Sequence, residues 1–111
     1  MCSGKTDKMT TGKTIIAEIG VILYPDVQLA AVFGLTDLFR IASEMSVARG
    51  GANAPVIRVS HWREGIGGRE GVECAFDSHP GHPHDPGHLI APPSLVMPGK
   101  MQPMAGFAAW L

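Results

Sequence analysis

The chain has 111 residues, 45% hydrophobic and 17% charged, which is room for one domain and too apolar for a disordered polyelectrolyte. Nine Lys and Arg against ten Asp and Glu give a net charge of -1, leaving no surplus for a phosphate-gripping face, and 6% aromatics are few for stacking single strands. Two cysteines are too few for a disulfide scaffold; no apolar run precedes Ile15 or is long enough to span a bilayer, so a cytoplasmic chain without membrane attachment is expected.

Residues 1–14 are polar and predict a flexible tail, and residues 15–111 the folded unit. Ile15 to Leu23 is apolar on both strand faces, the pattern of a buried parallel strand, and Tyr24-Pro25-Asp26 stops it. Val27 to Ala48 has helical spacing in Leu29, Val32, Phe33, Leu35 and Phe39, and Gly50-Gly51 is a suitable stop. Pro55 to Trp62 predicts the second strand, Glu64 to Glu70 a glycine-rich loop, and Val72 to Phe76 the short return strand of a hairpin. Asp77 to Gly87 is a loop by composition, His88 to Ala91 a third short buried strand, and Leu95 to Pro103 another loop. A helix opens at Met104 and runs to Leu111 without a stop. Strand, helix, strand, hairpin, strand, helix predicts the N-terminal half of a doubly wound, mostly parallel (flavodoxin-like) α/β sheet, truncated at its C-terminus.

Several local patterns read as ordinary structure. Gly4-Lys5-Thr6 and Gly12-Lys13-Thr14 lack the upstream glycine and strand of a phosphate-binding loop. Gly65 to Gly71 lacks the third glycine and the following helix of a dinucleotide fingerprint, and is expected to be a hairpin loop. His79, His82, His84 and His88 could suit Zn or Ni, but Pro80, Pro83 and Pro86 hold the segment extended; a solvated loop is the expectation, with no metal and no cofactor. Cys74 reads as a small buried core residue, and Met97, Met101 and Met104 as apolar filler under a loop.

Ile19 to Ala42, IGVILYPDVQLAAVFGLTDLFRIA, resembles the ThiJ/PfpI group of the class I glutamine amidotransferase-like superfamily. It is most similar to the N-terminal domain of GlxA-like AraC-family transcriptional regulators, whose first strand enters a Tyr-Pro-Gly-Val-Gln-type turn and a Gly-Pro-Leu-Asp-Val-Phe-type helix. Tyr24, Pro25, Val27, Gln28, Gly34, Asp37 and Phe39 match that pattern, and Asp77 to Gly81, Leu89 to Leu95 and Phe107 to Leu111 match later segments in order. The resemblance implies the ligand-sensing and dimerisation portion of a regulator: a small-molecule effector, self-association, and DNA contact only through a C-terminal helix-turn-helix domain beyond this chain. The alternative it allows is a fragment of a cysteine enzyme of amidase, glyoxalase-like or deglycase-like type. Against that stand Ala31 where such enzymes carry an acid, and Pro93-Ser94 where they use Gly-Gly, since Pro93 has no N–H for an oxyanion. No catalytic residue is therefore expected. In a 2-1-3 sheet a ligand would sit where strand order reverses, with Tyr24, Pro25 and Asp26 facing Pro92, Pro93 and Ser94 across a crevice.

Overall fold

A computed structural model describes residues 14–65 and 71–110, the Ala105 side chain excepted. The lysine-rich segment with both Gly-Lys-Thr stretches, apart from Thr14, lies outside the described residues, as do residues 66–70 of the glycine-rich loop. The elements are β1 (Thr14–Leu23), α1 (Leu29–Gly50), β2 (Pro55–Glu64), β3 (Val72–Asp77), β4 (His88–Ile90) and α2 (Ala105–Trp110). They build an α/β unit with a four-stranded mixed sheet of order β3-β2-β1-β4. β1 runs parallel to β2 and β4, while β3 returns antiparallel to β2. The parallel core therefore has the expected 2-1-3 order, with the hairpin strand added outside β2. Thr14 belongs to β1 rather than to the tail, and its Oγ1 donates to the Asn53 carbonyl at 3.2 Å.

Burial follows position in the sheet. β2 has a partner on each side, and Val56, Arg58, Val59, Ser60, His61 and Trp62 are all buried. α1 covers one face: Val32 joins the core with Val21 and Val59, Thr36 reaches His61, and Ser43 Oγ accepts from the Ile57 N–H at 2.9 Å. Gly51 ends α1 at φ +82, a conformation open to glycine, with its N–H on the Val47 carbonyl at 2.8 Å. The opposite face carries Trp62, over which α2 lays Trp110, with ring centroids 5.0 Å apart, and Phe107 is 3% exposed. That same face has a close approach at Gly20. A Cβ there would stand 2.7 Å from Leu89 Cδ2 and 3.2 Å from Trp62 Cδ1.

β4 departs from the sequence reading. It forms at the expected place but is an edge strand of three residues, not a buried one, and His88 and Leu89 are exposed. An apolar run marks a strand, but burial needs a neighbour on each side, and among the described residues β4 has only β1. The loop after it contains one 3-10 turn, Pro98–Lys100. Met101 and Met104 pack against the core as expected of filler, whereas Met97 is 73% exposed. Among the described residues no helix is long and apolar enough to cross a membrane.

Candidate functional site

Strand order reverses between β1 and β4, so the turn after β1 and the segment after β4 lie together at the C-terminal end of the sheet. The structure joins the two segments that carry the six expected residues by direct hydrogen bonds, with no such bond from Pro25. Val27 and Ser94 form an isolated antiparallel bridge, Gln28 N–H donates to the Pro93 carbonyl at 2.8 Å, and Leu95 N–H donates to the Asp26 carbonyl at 2.7 Å. Tyr24 is buried and its hydroxyl donates to the Pro92 carbonyl, so this group is turned inward rather than toward a crevice. Ser94 Oγ accepts from the Val96 N–H at 3.0 Å. Pro25, Asp26 and Pro93 remain exposed around this zipped junction. Asp26 takes φ +64, the left-handed region, which a short polar side chain tolerates better than a branched one. Ala31, at the position of the enzymes' acid, lies in the first turn of α1 and donates its N–H to the Gln28 carbonyl at 3.0 Å.

A groove of about 510 Å³ opens on the α1 face, between the second half of α1 and β2–β3. Val47, Val56, Val59 and Phe76 give it an apolar lining, with the exposed Arg40 and Ala48 at its edge. Its size falls in the range of small-molecule sites. His61 separates Phe33 and Phe76 beside it, with its ring 4.7 Å from that of Phe76. Burial pushes His61 below its ordinary value, so the ring is neutral near pH 7. Thr36 Oγ1 donates to the Val32 carbonyl at 2.8 Å, which assigns it as acceptor from His61 Nε2, also at 2.8 Å.

The other face holds a buried charge cluster that the sequence reading passed over. Parallel register sets Glu18 of β1 beside Arg58 of β2, and Asp77 closes the group from the end of β3. Arg58 grips Asp77 bidentately, Nε to Oδ1 at 2.9 Å and Nη2 to Oδ2 at 2.6 Å, the strong geometry for such a pair. The guanidinium also donates to the carbonyls of His82 and Pro83, each at 3.0 Å. Glu18 accepts from Ser60 Oγ at 2.7 Å, the Asp85 N–H at 2.8 Å and His84 Nδ1 at 2.8 Å. Burial alone would raise the Glu18 carboxyl, but these hydrogen bonds and the Arg58 charge outweigh it and hold it below its ordinary value. Asp77 is lowered in the same way, its burial overcome by Arg58 and the His79 N–H. Hydrogen bonding to Asp77 raises Arg58 against the effect of burial.

His84 overturns the solvated-loop expectation at its own position. It turns into the sheet, 17% exposed, with its ring edge-on to Trp62 at 4.8 Å. His79 Nδ1 pairs with Ser78 Oγ at 2.7 Å, and among the described residues no group of three or more His, Cys, Asp or Glu could hold a metal ion. Cys74 is only half-buried against the core and is not a free thiol. One signal in the sequence could have revealed the cluster: Glu18 and Arg58 interrupt two apolar strands with opposite charges at interior positions.

Comparison with known proteins returned no family model, no curated protein and no solved structure that matches this chain.

Proposed function

We propose that this chain is the ligand-sensing and self-association portion of a transcriptional regulator of the GlxA-like type, built on a doubly wound sheet, with DNA contacted by a domain outside it. The placement of α1 and α2 on opposite faces of the sheet supports the doubly wound reading. One observation carries the functional reading. α1 buries only Val32 and Ser43 of its 22 residues, yet its outward side is apolar too. Ala31, Gly34, Leu38, Ile41, Met45 and Ala48 repeat at steps of three and four, the spacing of a helix-pairing seam. Leu38, Ile41 and Met45 are 58%, 49% and 50% exposed.

The seam is small at Ala31, Gly34 and Ala48 and large at Leu38, Ile41 and Met45. An antiparallel pair about a two-fold axis sets Gly34 against Met45 of a second copy, so bulk meets space in that layer, while Leu38 packs on Ile41 and Ala31 on Ala48. A parallel pair would instead set Gly34 on Gly34 and Met45 on Met45. The self-association of this reading is assigned to a second α1 in that antiparallel arrangement. The groove between α1 and β2–β3 borders the same helix, so an effector filling it would bear on the pairing. Sedimentation of the chain at micromolar concentration tests the reading. A dimer that Ile41→Glu converts to a folded monomer supports it, and a wild-type monomer at all concentrations refutes it.

A further inference from the structure

Residues 78–87 have no regular structure, yet they cover the Trp62 face of the sheet. What fastens them is the charge cluster, since Arg58 holds the carbonyls of His82 and Pro83 while Glu18 holds the N–H of Asp85 and the ring of His84. Both ring nitrogens of His84 face carboxylates. Nδ1 is 2.8 Å from Glu18 Oε2 and Nε2 is 3.5 Å from Asp77 Oδ2, and Nε2 is buried without a hydrogen-bond partner.

From this geometry we infer that His84 is a proton-operated latch that fastens the 78–87 segment to the sheet. With one proton, on Nδ1 for Glu18, the ring aims a lone pair at Asp77, and the buried group of Glu18, Asp77 and Arg58 carries one uncompensated negative charge. With two protons both nitrogens donate, and the imidazolium balances that charge. The other titratable groups near the segment do not supply this balance. Asp85 is exposed and engages Glu18 through its backbone, His82 meets Arg58 through its carbonyl, and His79 pairs with Ser78. α2, packed on the same face, has no titratable side chain. The latch closes toward acid and loosens as the second proton leaves, uncovering Trp62 and the Arg58–Asp77 pair.

His61, on the opposite face, acts in the reverse sense, because its buried neutral form favours the fold as pH rises. A global melt mixes the two, so the test is local. Amide hydrogen exchange of the intact chain, corrected for intrinsic rates, is compared at about pH 5.5 and about pH 8. The expected result is several-fold stronger protection of the 79–86 backbone at the lower pH. His84→Gln, which keeps one N–H for Glu18 and cannot take a second proton, abolishes that difference and leaves β1 and β2 protected as before. The latch is overturned by equal protection at both pH values in the wild-type chain. It is equally overturned by a pH dependence that survives His84→Gln, or by one that disappears in His61→Gln. The wild-type and His61→Gln comparisons decide the matter even where His84→Gln fails to fold.

Discussion

Asp26 holds φ +64 so that its own carbonyl can receive Leu95 and the next residue can bridge Ser94. A β-branched side chain there adds strain of about 1–3 kcal/mol. Asp26→Val is therefore expected to lower the urea midpoint and loosen the 91–95 segment, while Asp26→Gly holds the midpoint or raises it. Equal stability of the two variants would contradict the assigned turn. Arg58 presents a larger stake. Its side chain and that of Asp77 are each 2% exposed, and Arg58→Met strands two buried carboxylates. The expected loss is about 3–5 kcal/mol, a large share of a small domain's stability, read by denaturant unfolding. The cluster also sets the response to acid. Glu18 and Asp77 lie below their ordinary values in the fold, so their contribution is complete above the unfolded carboxylate range and disappears as pH falls through the folded values. Stability measured from about pH 6 down to about pH 2 should fall below about pH 4. A flat profile would contradict the assigned ion pairs.

Among the elements, Gly20 is the tightest point. Gly20→Ala drives a methyl into Leu89 and toward Trp62, which overpacks the junction of β1 with β4 at a cost of about 1–3 kcal/mol. Faster amide exchange in His88–Ile90 than in β2 would locate the damage, and unchanged β4 protection would refute it. The sequence made β1, β2 and α1 legible because each repeats its pattern over ten residues or more, long enough for the helical period and the two-faced apolar strand to stand apart. Gly51 was legible for a local reason, its freedom at positive φ. The burial of β4 was not, because Leu89-Ile90-Ala91 reports hydrophobicity and not the number of neighbours. Topology alone brings the turn after β1 toward the segment after β4, whereas the hydrogen bonds between Tyr24 to Gln28 and Pro92 to Leu95 depend on distances that composition does not contain. Glu18 and Arg58 illustrate the same limit. Each is visible as a charge in an apolar strand, but their pairing depends on parallel register across a 22-residue helix.

At the scale of the whole molecule, α1 packs apolar residues on the sheet and carries a second apolar stripe, Leu38, Ile41 and Met45, on its outer side beside the exposed charges of Asp37, Arg40 and Glu44. In the proposed dimer the outer side faces a second copy of the chain, paired antiparallel so that Gly34 receives Met45. Exchanging the two sizes tests that claim most directly, with sedimentation velocity as the measurement. Gly34→Met alone should give a monomer, because two large side chains then compete for one layer, while Gly34→Met combined with Met45→Ala should restore the dimer. A Gly34→Met chain that still dimerises, or a double variant that stays monomeric while folded, would contradict the antiparallel α1 pairing.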